Sequence, residues 1–208
     1  MDLLVLAKEP VPGRVKTRLS PPCTPEEAAA IAAAALADTL AAAVASGADR
    51  VVMALEGEAR EWCPPGVVVV PQGHGCLADR LRTLWRATTG PALQIGMDTP
   101  QIGAGGLDAA MAWLDDGTHD AAMGLAVDGG WWAIGLRRPT PGVFDGIETS
   151  RADTGARQRT RLTALGLRVA ELVPARDVDT WDDALAVAAL APQSAFADAV
   201  GTVAGARA

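Results

Sequence analysis

With 208 residues, 50% of them hydrophobic and 21% charged, the chain can bury one substantial core and is too short for two full domains. A net charge of −7 and a pI near 4.8 exclude a general binder of nucleic acid or anionic membranes. Cys23, Cys63 and Cys76 are odd in number and form no C-x-x-C pair, so they read as thiols of a reducing compartment, not as a disulfide framework or zinc site. The opening has no basic n-region, and its apolar run is too short for a signal sequence or membrane span, so a cytoplasmic protein is expected.

Residues 2–7 are a short apolar run ending in a Gly/Pro loop, which predicts a buried strand. At 24–27, T-P-E-E carries the signature of a helix start, with Thr24 as cap, Pro25 in the first position and Glu27 closing a capping box. That helix runs through alanines, interrupted by Asp38, to a stop at Gly47; the cap and the interruption favour a soluble helix over a span. Strands are predicted at 50–55 and 66–71, a helix at 76–88, a strand at 91–97 and a helix at 105–116. Strands at 119–126 and 131–137 follow, then a helix near 151–165, a strand at 166–172 and a helix from Thr180. A loose Ala-rich tail, residues 193–208, is expected beyond a single domain at 1–192. The alternation predicts an α/β fold, a mostly parallel sheet with helices on both faces. Ligands of such sheets bind beyond the carboxyl ends of the strands. The loops after Ala7, Met97 and Ala126 are thereby directed to one rim.

The first of these loops holds the only two lysines, Lys8 and Lys16; the other sixteen of the eighteen basic residues are arginine. A lysine is a compact ammonium and arginine a planar fork, and the two do not exchange at a tight site. Pro10, Pro12 and Gly13 stiffen the loop and allow close backbone approach, as phosphate-cradling loops require. Lys16 as a point charge with Arg14 and Arg18 as forks would hold a polyphosphate. The plainer reading is a solvated basic turn. The loop matches neither the Walker A nor the dinucleotide G-x-G-x-x-G pattern.

Polyphosphate chemistry calls for a divalent cation, which takes one or two carboxylates plus substrate oxygens. Asp98, between a buried strand and Thr99-Pro100, is the first candidate ligand, with a turn cap as its structural alternative. Within DVDTWDDA at 177–184, Asp177 or Asp179 reaches the same metal, unless these acids only cap the helix from Thr180. Asp128-Gly129-Gly130 reads either as a hairpin turn or as part of a pocket, since Trp131 and Trp132 face opposite sides of a strand. His74 and His119 have no metal-binding spacing, and no G-x-S-x-G nucleophile motif occurs.

KEPVPGRVKTRL, IGMDTP, DGGWWAIGL and DVDT, in this order, resemble the glycosyltransferase-A-like (GT-A-like) family related to the 2-phospho-lactate guanylyltransferases. The resemblance spans nearly the whole chain. It implies a single Rossmann-like domain with a mixed seven-stranded sheet, in which the loop from Lys8 to Arg18 holds nucleotide phosphates. It also implies that Asp98 and Asp179 bind a magnesium or manganese ion, and that Gly13, Thr99, Asp128, Gly129, Gly130 and Trp131 lie about the substrate. The chain departs from the pattern at Pro100, which reduces D-x-D to Asp98 alone, at Val127, where an acid is usual, and at Trp131, where a tyrosine is usual. The leading expectation is a magnesium-dependent transferase moving a nucleotidyl group from a nucleoside triphosphate to a small phosphorylated or carboxylated acceptor. Glycosyl transfer from a nucleotide-sugar is the alternative, and a nucleotide-binding protein without catalysis the third.

Overall fold

The computed structural model describes residues 1–59, 62–149 and 151–207. Strands β1 (Asp2–Lys8), β2 (Arg50–Glu56), β3 (Val67–Pro71), β4 (Ala92–Gly96), β5 (Ala121–Ala126), β6 (Trp131–Leu136) and β7 (Val169–Ala175) form one sheet. Its order is β3-β2-β1-β4-β6-β5-β7, and β6 alone runs antiparallel to its neighbours β4 and β5. Helices α1 (Pro25–Ala45), α2 (Leu77–Trp85), α3 (Ala104–Asp115), α4 (Thr154–Ala164), α5 (Trp181–Leu190) and α6 (Ala195–Gly205) cover both faces. The α/β class with a mixed, mostly parallel seven-stranded sheet is therefore observed.

Adjacent strand residues point to opposite faces, and both faces are covered, so β1 is apolar from Leu3 to Ala7. Leu3, Val5 and Ala7 join one core with Leu36 and Leu40 of α1 and Leu107 and Leu114 of α3. Leu4 joins the other core with Leu81 and Leu84 of α2 and Leu162 of α4. The Ala-rich α1 packs on two sides at once. Ala29, Ala32 and Leu36 meet the sheet, while Ala28, Ile31 and Ala35 meet a third cluster with Val187 of α5 and Phe196 of α6. Length and composition would let α1 cross a membrane, but half of its most apolar window is buried inside the protein. Its start is the expected capping box, Thr24 accepting from the Glu27 N–H and Glu27 accepting from the Thr24 N–H.

Two expectations fail. The loose tail after Pro192 is instead helix α6, capped by Ser194 and anchored by Phe196, Val200 and Val203, all buried against α1 and α5. Its alanines read as low complexity, but they allow the close helix approach that seats those three side chains. Strand β7 is displaced toward the C-terminus of the expected 166–172, because Gly166, at φ 78°, turns the chain at the end of α4. The strand then runs through Pro174, which is tolerated because β7 is an edge strand.

Candidate functional site

The carboxyl ends of β1, β2, β3 and β4 lie side by side, and above them opens a cavity of about 380 Å³. Its walls carry five cations, Lys8, Arg14, Lys16, Arg18 and Arg80, against three carboxylates, Glu56, Asp98 and Asp179. On a protein of net charge −7, this local excess of cations has the charge that a compact anion requires.

The cationic loop follows from its sequence. Gly13, at φ 73°, makes the turn in which the Arg14 N–H donates to the Val11 carbonyl at 3.0 Å. Lys16 is the one non-glycine residue with positive φ among the described residues, at φ 48° and ψ 38°. That conformation costs on the order of 1 kcal/mol. What holds it there is the side chain, which is only 8% exposed. Its ammonium lies 2.5 Å from Asp98 Oδ1 and also donates to the Val178 carbonyl. Arg18 donates to Asp179 Oδ2 at 2.6 Å, whereas the exposed Arg14 has no side-chain partner among the described residues.

Asp179 follows the far edge strand, four strands away from β1. The chain after β7 returns across the rim, and there the Val178 N–H donates to the Asp98 carbonyl at 2.9 Å. Gln101 Nε2 ties the same crossing segment down by donating to the Arg176 carbonyl at 2.6 Å. Asp98 therefore does not cap α3, whose cap position is Gly103. Asp179 does not cap α5 either; Thr180 and Asp183 form that capping box. Both carboxylates are left facing the cavity.

Asp177 is half-buried beside them. Burial, followed by the charges of Asp128, Asp179 and Asp98, pushes its carboxyl up to about 6. This corner of the rim therefore has negative charge to spare, and its hard oxygen donors suit magnesium or manganese. No three acid, His or Cys side chains converge as a ligand set among the described residues. Asp98 and Asp179 fit a cation that completes its shell with substrate oxygens, as magnesium commonly does.

At the other end of the cavity Lys8 is joined by three residues that the sequence reading did not assign to the site, Glu56, Gln72 and Arg80. Glu56 at the end of β2 pairs with Lys8 at 3.3 Å and Arg80 at 2.7 Å. Burial opposes its charge, but these two cations outweigh it and hold the carboxyl below its usual range. Gln72, buried just after β3, donates to the Ala7 carbonyl at 2.8 Å and accepts from Arg80 at 2.8 Å. The available signal was the Gly73-His74-Gly75 loop, which follows β3 and so belongs to the same rim.

Lys8, Arg14, Lys16, Arg18, Asp98 and Asp179 thus share one cavity. Gly13, Thr99, Asp128, Gly129, Gly130 and Trp131 are not among its lining residues. Thr99 is buried and its carbonyl accepts from the Ile102 N–H. Asp128 accepts from the Gly130 N–H at 2.7 Å, the hairpin-turn reading of that motif. Gly129, at φ 92°, passes so close to the turn before α4 that a Cβ would lie 2.0 Å from the Ala152 carbonyl oxygen. Trp131 packs against the α2-side core, and Trp132 is buried with its indole donating to the Val173 carbonyl at 3.0 Å.

The sheet order with its single antiparallel strand is that of a GT-A-like fold, with the cation-lined cavity at the β1–β4 rim. The chain belongs to the family described as "Uncharacterized protein conserved in bacteria (DUF2064)", whose model matches residues 29–151. Among solved structures it is similar to a protein of Desulfovibrio desulfuricans named a "putative nucleotide-diphospho-sugar transferase". The two share 27% identity over 88% of this chain and 84% of the other, with a TM-score of 0.77. The fold recurs in 2-C-methyl-D-erythritol 4-phosphate cytidylyltransferase of Thermus thermophilus, at 19% identity, 92% and 100% coverage and a TM-score of 0.54. It recurs also in CMP:2-keto-3-deoxy-manno-octonic acid synthetase, solved with CTP, at 14% identity, 92% and 98% coverage and a TM-score of 0.59. No curated protein matches the chain.

Proposed function

We propose that this protein transfers a nucleotidyl group from a nucleoside triphosphate to a small phosphorylated or carboxylated acceptor. The observation that carries the reading is the cavity at the strand ends, where the first-loop cations Lys8, Arg14, Lys16 and Arg18 share the wall with Asp98 and Asp179. An oxygen of the acceptor attacks the α-phosphorus, the bond from that phosphorus to the bridging oxygen breaks, and pyrophosphate leaves with the electron pair. Lys16, Arg14 and Arg18 neutralise charge growing on the departing pyrophosphate, and Lys8 adds to the field at the strand end. Gly13 lets the loop backbone close on the phosphates. Asp98 and Asp179 would hold magnesium or manganese, which when bound supplies further neutralisation of phosphate charge. Lys16 pairs with Asp98 and Arg18 with Asp179, so both carboxylates already sit beside the phosphate-binding cations.

The resemblance to the Desulfovibrio protein supports a second reading, glycosyl transfer from a nucleotide-sugar. The two differ in the leaving group, pyrophosphate or a nucleoside diphosphate. Incubation with each nucleoside triphosphate or nucleotide-sugar, magnesium and sets of phosphorylated and carboxylated acceptors separates them by which product appears. Pyrophosphate release that is lost in Lys16→Met is expected. Release of neither product, with no nucleotide raising the melting temperature, overturns both readings.

A further inference from the structure

The cavity has two poles on opposite faces of the sheet. Lys16, Arg18, Asp98 and Asp179 form one, on the loop that leads into α1. Lys8, Glu56, Gln72 and Arg80 form the other, beneath the first turn of α2. The second pole is built differently. Arg80 is held by three fixed contacts: Nε donates to the Gly75 carbonyl at 3.2 Å, and Nη1 to both Glu56 Oε2 and Gln72 Oε1. Its Nη2 has no partner among the described residues, so one donor-only edge of a rigid fork remains free. Beside it the cavity wall is apolar, made by Leu6 and Leu77. Phosphates gain nothing from an apolar wall; a nucleobase does.

Resting on the reading above, we propose that Arg80 is a specificity residue that reads the base. Its free Nη2 edge donates to an exocyclic carbonyl, while the base lies over Leu6 and Leu77. The site then takes nucleotides of guanine, cytosine or uracil and rejects adenine, which carries no exocyclic carbonyl. A site built to hydrogen-bond one group discriminates strongly against an analogue without it. Glu56 and Gln72 are positioning residues. They compensate the charge of Arg80 and fix its plane, which suits a neutral carbonyl better than a phosphate.

The test is calorimetric titration of the whole protein with GTP, CTP, UTP, ATP and inorganic tripolyphosphate, each with magnesium, on wild type, Arg80→Met and Arg80→Lys. Wild type is expected to bind at least one carbonyl-bearing nucleotide tenfold or more tightly than ATP. Both variants should lose that preference by about tenfold or more, while ATP and tripolyphosphate stay within about twofold, which also shows that the variants are folded. Glu56→Gln and Gln72→Ala should reduce the preference without abolishing it. Equal loss of tripolyphosphate binding makes Arg80 a phosphate ligand and overturns the proposal, as does unchanged base preference. Wild type that binds tripolyphosphate but no nucleotide overturns the transferase reading together with this one.

Discussion

Replacing Lys16 with arginine keeps the charge and changes the shape, and the structure says that shape decides. The side chain is 8% exposed, and its ammonium has two fixed acceptors, the Asp98 carboxylate at 2.5 Å and the Val178 carbonyl. A guanidinium brings extra heavy atoms into that space, and overpacking of this kind costs about 1–3 kcal/mol. The alternative is for the side chain to swing out, which gives up hydrogen bonds worth about 1.5–3 kcal/mol each when charged, less here because Asp98 is 44% exposed and rehydrates. Either way the native state loses about 1–2 kcal/mol, or roughly 2–8 °C of melting temperature for a chain of this size. The loop anchored by Lys16 also carries Arg14 and Arg18, so nucleotide affinity should fall by about five- to thirtyfold, the factor corresponding to 1–2 kcal/mol. Urea denaturation and calorimetry with magnesium and a nucleoside triphosphate read the two effects separately. Wild-type stability and affinity in Lys16→Arg would mean that the lysine is incidental and the tight-ammonium reasoning wrong.

Asp98→Asn retains an acceptor for Lys16 and removes the charge that a hard cation needs. Nucleotide binding in magnesium should drop by about tenfold or more, while binding in chelator should hold or rise because a repulsive carboxylate is gone; four calorimetric titrations check this. Phe196→Ala empties a fully buried site in α6 and should cost about 3–5 kcal/mol in chemical denaturation, whereas a loose tail would cost nothing. Asp120 is held at a pKa of about 2 by the Arg168 side chain and backbone N–H. A depressed carboxyl stabilises the fold above its unfolded value near 3.8 and loses that contribution as pH falls through about 2. Asp120→Asn should therefore lower the urea midpoint at pH 7 and approach wild type near pH 2; an equal deficit at both pH values would contradict the assignment.

Much of the fold was legible because its signals are local. The unbroken apolar run of β1 is dictated by two covered faces, and the Thr24–Glu27 box by the orphan amides of α1. The first-loop cations and Asp98 were legible because strand-end loops of such a sheet share a rim. Other features depend on tertiary approach. Arg80 sits in an ordinary-looking amphipathic helix, and only the return of β3 beside β2 brings it to Glu56 and Gln72. Asp128-Gly129-Gly130 reads equally as a pocket motif because glycine serves close approach to a ligand or to neighbouring backbone; here the neighbour is Ala152. Nor does the sequence mark the left-handed backbone of Lys16, which is held by contacts made far along the chain at Asp98 and farther still at Val178.

The central claim is that the rim cavity holds a nucleotide by its phosphates, and the most direct measurement is a crystal structure of the protein grown with magnesium and a nucleoside triphosphate. The account predicts phosphate oxygens within hydrogen-bond distance of Lys16 and at least one of Arg14 and Arg18, with metal density between Asp98, Asp179 and the phosphates. A nucleotide bound elsewhere on the molecule, with the Lys16–Asp98 and Arg18–Asp179 pairs intact and the cavity bare, would contradict it.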